Sequence, residues 1–237
     1  MPLFQQLNLQ PGLPFDEPEL SQSLSQSLSQ PRSHKESIPI KDGELSYIHG
    51  FLDQQAQMQL FERLKQTLAW QQDEIKIYGR QMPIPRLQAW YGDSSSVYAY
   101  SGMSMIPQPW TAELAKLKQQ ISQAANVEFN SVLANFYRNG MDKVGYHADN
   151  EQELGQRPII ASLSLGCQRK FVLKHNISGE KVELQLGGGS LLIMAGELQQ
   201  CWKHTLPQQK RVVDGRINLT FRFTYPTKIR DYLHHRL

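Results

Sequence analysis

Cysteine is nearly absent from the chain. The two present, Cys167 and Cys201, lie far apart without a CxxC spacing, which excludes a disulfide framework and a zinc knuckle and leaves packing as their expected role. Long apolar runs are missing as well. No stretch approaches the ~18 residues a membrane-spanning helix needs. The opening MPLFQQLNLQPGLPFDEPEL has neither a basic start nor an apolar h-region, so a soluble, cytoplasmic protein is expected. A dominant charge is lacking too: 25 Lys plus Arg against 22 Asp plus Glu leave a net +3, a balance that does not by itself point to a polyanionic partner.

The charges that are there are unevenly spread. Residues 156–237 carry about 13 Lys plus Arg against about 5 Asp plus Glu, while the first 155 residues lean acidic. The basic half is read either as a solvated face or as a phosphate-tracking surface. Residues 1–36, with the repeat SQSLSQSLSQ, offer few apolar anchors and no period that could bury a face, and are expected to form a disordered low-complexity tail ahead of one folded domain at 37–237. At 237 residues and 40% hydrophobic content the chain can bury one sizeable core.

The segment DQQAQMQLFERLKQTLAW predicts a helix with Asp53 as N-cap and Met58, Leu60, Phe61, Leu64 and Leu68 at helical spacing. PWTAELAKLKQQISQAA predicts a second, with Leu114, Leu117 and Ile121 on one stripe after a proline-containing start. From Asn130 onward the texture is of short strands, SVLANFYRNG, IIASLSLG, KFVLKH, EKVELQL, GSLLIMAG and RINLTFRFTYP, separated by Gly, Asn and Pro. Helices followed by many strands imply an α+β β-sandwich or jelly roll buttressed by helices on one side.

Chemistry concentrates in three places. In VGYHADNE, an extended backbone puts His147 and Asp149 on one face while Ala148 turns away. In RINLTFRF, alternation puts Arg216, Asn218, Thr220 and Arg222 on one face and Ile217, Leu219, Phe221 and Phe223 on the other. Either the two arginines face solvent, or they line a cavity and grip the ends of a dicarboxylate. Between these segments, QCWKHTLP supplies His204. With His147 and Asp149 it completes a 2-His-1-carboxylate triad, which fills three coordination positions of a non-haem Fe(II) and leaves three open for chemistry.

The segments IPRLQAWYGD, VYAYSG, NFYRNGMDKVGYHADNE, PIIASLSLG, GSLLIMAG, CWKH and RINLTFR, between about residues 75 and 226, resemble the AlkB family of Fe(II)- and 2-oxoglutarate-dependent dioxygenases. The resemblance is in particular to the branch containing the mammalian DNA and RNA alkylation-repair demethylases. The resemblance implies a double-stranded β-helix (jelly roll) core and, as cofactor and cosubstrates, Fe(II), 2-oxoglutarate and dioxygen. It implies His147, Asp149 and His204 as catalytic iron ligands. Arg216 would hold the distal carboxylate of 2-oxoglutarate, helped by Asn135 and Tyr137, with Asn218 and Arg222 near the iron-chelating end. The implied activity is oxidative demethylation of N-alkylated bases such as 1-methyladenine and 3-methylcytosine in single- or double-stranded DNA, with RNA as the alternative polymer. Succinate and formaldehyde would be released.

For the base, the resemblance implies stacking on Tyr100, contact with Tyr98, an intercalating Tyr78, and Arg86 and Arg80 on phosphate or in the vacated stack. Two tyrosines at i and i+2 can equally line a strand face. Asn150 stands where relatives often carry an acid and is followed by Glu151, which changes the polar contact offered to a cationic methylated base. A monomer with no membrane association is expected. Two other readings stay open: the same iron chemistry on a protein or small molecule, and a non-catalytic jelly-roll nucleic-acid binder.

Overall fold

The computed structural model describes residues 33–77, 79–96, 98–100, 103–105 and 107–225. A hairpin opens it, β1 (His34–Ile38) pairing with β2 (Glu44–His49) across a turn in which Asp42 adopts φ 49°. Ordered pairing therefore starts at His34, ahead of the boundary expected at 37. Helix α1 (Gln54–Thr67) begins where the Asp53 carboxylate accepts the Ala56 N–H at 2.7 Å. Its buried stripe is Gln57, Phe61 and Leu64, continued by Leu68, whereas Met58, expected on that stripe, is exposed on the flank. Gln57 can replace an apolar residue there because its Oε1 accepts the Gly166 N–H at 3.0 Å, and a buried amide oxygen with a donor is satisfied.

Two short ribbons follow, β3 (Glu74–Ile77) with β4 (Arg80–Pro83) and β6 (Tyr98–Tyr100) with β7 (Met103–Met105), separated by β5 (Leu87–Gly92). Helix α2 (Ala112–Ala125) is capped by Thr111 and ended by Asn126 at φ 55°, with Leu114, Leu117 and Ile121 buried as expected. The remaining elements are β8 (Ser131–Tyr137), β9 (Val144–His147), a 3₁₀ turn (Gln152–Leu154), β10 (Ile160–Gly166), β11 (Arg169–His175), β12 (Lys181–Leu186), β13 (Leu191–Ala195), α3 (Leu198–Cys201), β14 (Trp202–Leu206) and β15 (Arg216–Arg222). Among the described residues no helix is long and apolar enough to cross a membrane.

The strands form a seven-stranded sheet in the order β1-β2-β13-β10-β15-β8-β5 and a four-stranded sheet in the order β12-β11-β14-β9. One core lies between the sheets, where Leu45, Tyr47, Leu192 and Met194 meet Phe171, Leu173, Leu186, Trp202 and Leu206. A second core lies where Phe61, Leu64, Leu114, Leu117 and Ile121 of the two helices pack on Val132, Ala134, Leu163, Leu165, Ile217, Leu219 and Phe221. This is the double-stranded β-helix with helices buttressing one side. Strands ahead of Asn130 complete the larger sheet, with β1 and β5 as its two edges. Strand β5 lacks the alternation that marks a half-exposed strand because its second half, Ala89–Gly92, is buried throughout.

Strand β15 is buried along its whole length. Ile217, Leu219 and Phe221 enter the helix-side core, and Arg216, Asn218, Thr220 and Arg222, on the opposite face, are also buried. The reading that leaves both arginines in solvent is thereby excluded. Phe223, expected on the apolar face, lies beyond the strand, is exposed, and meets Tyr225 edge-on.

Gly166 closes β10 at φ +83°, where an added Cβ would lie 2.5 Å from the Gly215 carbonyl and 2.9 Å from the Phe61 ring. Gly166→Ala is expected to destabilise the protein by about 2–4 kcal/mol, through positive-φ strain and overpacking. Urea unfolding checks this; a loss under about 0.5 kcal/mol, the scale of a neutral surface change, would refute it.

Candidate active site

The His147-Ala148-Asp149 triplet sits at the end of β9, with Asp149 already outside the ladder. On β9 the register shifts between the pairs His204↔His147 and Leu206↔Val144, and the irregularity re-aims the strand end, as bulges beside active sites do. His147 Nδ1 is 2.9 Å from the Gly145 carbonyl. A carbonyl only accepts, so Nδ1 carries the proton and Nε2 keeps its lone pair. That Nε2 lies 3.8 Å from Asp149 Oδ1, while Asp149 Oδ2 is held at 2.9 Å by Arg222 Nη2. The Asp149 backbone N–H donates to Gln199 Oε1 at 2.9 Å.

His204 stands directly across the ladder from His147, the two rings 4.3 Å apart at their centroids. Ligand atoms of His147, Asp149 and His204 all fall within 4.8 Å of one another. Burial is the largest influence on Asp149 and would raise its pKa, but Arg222, His204 and His147 outweigh it and hold the carboxyl below its usual range. Burial, with His147 and Arg222, pushes His204 down to about 3 against the pull of Asp149. The triad therefore presents an unprotonated imidazole and a carboxylate, the forms that bind a metal.

Arg216 stands opposite Tyr137 and Asn218 opposite Asn135 across the β15–β8 ladder. Arg216 Nη2 donates to Ser164 Oγ at 2.8 Å and to Asn218 Oδ1 at 2.9 Å, while its Nε is buried with no hydrogen-bond partner. Its guanidinium lies 5.6 Å from the Tyr137 ring, and that of Arg169 lies 5.8 Å from the same ring. Burial lowers the Arg216 pKa to about 10, which leaves it charged at neutral pH. Burial likewise keeps the Tyr137 phenol protonated by raising its pKa, against Arg86, Arg216 and Arg169. A buried guanidinium with an unpaired N–H and no acid in an ion pair with it among the described residues fits an incoming carboxylate.

Other expected residues fall less simply. Asn218, expected with Arg222 at the iron-chelating end, instead bonds Arg216, Ser162 at 2.8 Å and Thr220 at 2.6 Å. Arg222 commits Nη2 to a ligand carboxylate rather than serving only as the second grip on a dicarboxylate. Arg86, expected on nucleic acid, donates Nε to Asn135 Oδ1 at 2.8 Å. Arg80 and Asn150 are exposed, and Glu151 is half-buried with Oε2 lacking a hydrogen-bond partner. Tyr78 lies outside the described residues, and Tyr98 and Tyr100 occur in β6, of which the backbone alone is described.

Sequence reasoning missed Gln199, Gln88, Ser162 and Ser164. The two serines carried a usable signal, since they alternate with Ala161, Leu163 and Leu165 along β10 and so share a face. Asp42, His175 and Cys201 form another group with metal-ligand spacing. There, His175 Nδ1 accepts the N–H groups of Ile177 and Ser178 and Nε2 donates to Asp42 at 3.2 Å, so both ring nitrogens are committed.

A 2-His-1-carboxylate set at the end of β9, with the buried Arg216 on the polar face of β15 in the same double-stranded β-helix, fits a non-haem iron oxygenase that uses a dicarboxylate cosubstrate. Residues 44–222 match the family model described as the 2OG-Fe(II) oxygenase superfamily. DNA oxidative demethylase ALKBH2 of Mus musculus is 39% identical over 163 residues, covering 65% of this chain and 68% of the relative. Alpha-ketoglutarate-dependent dioxygenase alkB homolog 3 of Bos taurus is 39% identical over 192 residues, covering 75% of this chain and 65% of the relative. The chain thus spans about two thirds of the length of these relatives. The solved structure of OsALKBH1 superposes with a TM-score of 0.56 at 18% identity, covering 79% of this chain and 100% of that chain, a likeness of fold. The chain belongs to the 2OG-Fe(II) oxygenase superfamily and, within it, to the AlkB family. Membership implies Fe(II), 2-oxoglutarate and dioxygen.

In the metal-free protein, the unfolded chain protonates residue 204 below about pH 6.5, but the folded protein resists that proton down to about 3. Stability is therefore full above 6.5 and falls as the pH drops toward 3, by roughly 1.4 kcal/mol per pH unit from this group. Urea unfolding of the wild type and His204→Phe between pH 7 and 4 checks this, with a shallower loss expected in the variant. Equal slopes would contradict it.

Proposed function

We propose that the protein oxidatively demethylates N-alkylated bases of the 1-methyladenine and 3-methylcytosine type in DNA, with RNA as a further substrate, consuming 2-oxoglutarate. The observation that carries this reading is the His147, Asp149 and His204 triad together with the buried Arg216, which is in an ion pair with no acid among the described residues. The name DNA oxidative demethylase borne by a 39% identical relative supports the choice of substrate. Iron, once bound with 2-oxoglutarate and dioxygen, supplies oxidation of the N-methyl carbon, with succinate and formaldehyde as products.

The chain's own share is binding, orientation and exclusion of water. His147, Asp149 and His204 hold the metal, and Arg222 and Gln199 fix Asp149 so that Oδ1 turns toward it. Arg216, with Asn135 and Tyr137, holds the distal carboxylate, where a planar fork with several donors outperforms a lysine ammonium. The extruded base stacks on Tyr100 and contacts Tyr98, with Tyr78 as the intercalating residue, Arg80 on phosphate, and Glu151 as an acidic contact. A reducing compartment, the cytoplasm, suits Fe(II) and the two free cysteines.

Formaldehyde and succinate release should appear in equal amounts on oligonucleotides carrying 1-methyladenine, and formaldehyde should be absent on unmethylated controls. Succinate without methyl-dependent formaldehyde would discard the base substrate. Arg216→Ala should raise the KM for 2-oxoglutarate on the order of 100-fold, the cost of leaving one partner of a buried charged pair alone being about 3 kcal/mol. An unchanged KM would remove Arg216 from the cosubstrate.

A further inference from the structure

Asn135 sits on β8 between two strands, paired directly with Gln88 of β5 and with Asn218 of β15. A carboxamide has one accepting end and one donating end, and which end faces which neighbour decides what it can bind. Here the neighbours decide. Arg86 Nε lies 2.8 Å from Asn135 Oδ1. A guanidinium has no acceptor, so the end of Asn135 that faces it must be the oxygen. Gln88 Nε2 donates to the same oxygen, also at 2.8 Å, and two donors fill both lone pairs of Oδ1. The Nδ2 end keeps its N–H groups, for the two hydrogen bonds of the Asn135 side chain within the described residues both end on Oδ1.

Asn135 is itself buried, and its ladder pair with Asn218 lies two positions from the Tyr137–Arg216 pair, on the same polar face. Arg86 is, with Arg216 and Arg169, one of the charges that oppose the rise in the Tyr137 pKa. Were the amide turned over, its free end would be an acceptor and would repel a carboxylate. Attraction or repulsion at this position thus depends on residues that need not touch the ligand.

We propose that Arg86 and Gln88 are positioning residues for the cosubstrate: they lock the Asn135 carboxamide with Nδ2 as the donor offered to the carboxylate bound by Arg216. Arg86 then serves the 2-oxoglutarate pocket and not the nucleic-acid backbone. The inference rests on the proposed placement of 2-oxoglutarate against Arg216 and Asn135.

The test is calorimetric titration of 2-oxoglutarate into the full-length, Mn(II)-loaded protein, comparing the wild type with Arg86→Leu, Asn135→Ala and the double variant. Arg86→Leu should weaken binding about tenfold, the effect of one misdirected hydrogen bond. Asn135→Ala should weaken it similarly, and the double variant should bind no worse than Asn135→Ala alone, because Arg86 acts through Asn135. Gln88→Leu should reproduce the loss in milder form, and it carries the test if Arg86→Leu does not fold. Losses that multiply in the double variant would mean Arg86 contacts the ligand directly and would overturn the proposal. So would unchanged 2-oxoglutarate affinity in Arg86→Leu coupled with weaker binding of a methylated oligonucleotide. If the Mn(II)-loaded wild type binds no 2-oxoglutarate, the proposed function falls instead, independently of Arg86.

Discussion

The site depends on the ion pair between Arg222 and Asp149, 2.9 Å apart and almost fully buried on both sides. It joins the last strand of the larger sheet to the segment that leaves the smaller one, and so crosses the space in which the chemistry is placed. A buried pair adds little net stability, yet removing one partner leaves an uncompensated charge and costs about 3–5 kcal/mol. The pair therefore matters less as glue than as a constraint. It occupies Oδ2, leaves Oδ1 beside His147, and keeps the carboxyl ionised against a burial that would protonate it.

Arg216 occupies the other end of the same strand face, and the contrast explains the division of labour along β15. Arg222 has its acid within the fold, and Arg216 has serine, asparagine and an aromatic face but, among the described residues, no carboxylate in an ion pair with it. At a rise of about 3.3 Å per residue, six positions separate the two by roughly 20 Å of backbone, so one small anion cannot serve both along the strand alone. The anion of Arg222 is part of the chain. On the proposed reading, the anion of Arg216 is the cosubstrate.

Much of this was legible in the sequence because β-strands repeat every two residues. RINLTFR shows its polar and apolar faces directly, and His147, Asp149 and His204, weak signals one by one, gain their meaning from lying ahead of that strand in a β-rich chain. The segments beyond that pattern were not legible. Gln57 looks like a solvent residue on its helix until its partner, the Gly166 N–H, is brought up from 109 positions away. Gln199, which fixes Asp149, lies 50 positions from it and belongs to a four-residue helix with no periodicity to detect. The resemblance put Arg86 on phosphate or in the vacated stack, since nothing in the sequence shows what lies across the sheet from it. Only the register of β5 on β8 turns its Nε onto Asn135.

The electrostatics of the interior give the strongest argument that these parts belong to one device. Around Tyr137 and the triad lie the buried guanidinium groups of Arg169, Arg216 and Arg222. Arg222 pairs with Asp149, and Arg169, held by the carbonyls of Asn139, Asp142 and Pro207 and by Gln209, is opposed by the buried Asp142 carboxylate, which also pairs with Arg138. Arg216 is in an ion pair with no acid among the described residues, and a buried charge left so is costly. A divalent cation held at the triad would add positive charge to this interior, and a dianionic cosubstrate would offset it. On the proposed reading metal and dicarboxylate would each favour the other, with the amide of Asn135 adding a directed donor where charge alone would be indifferent to orientation.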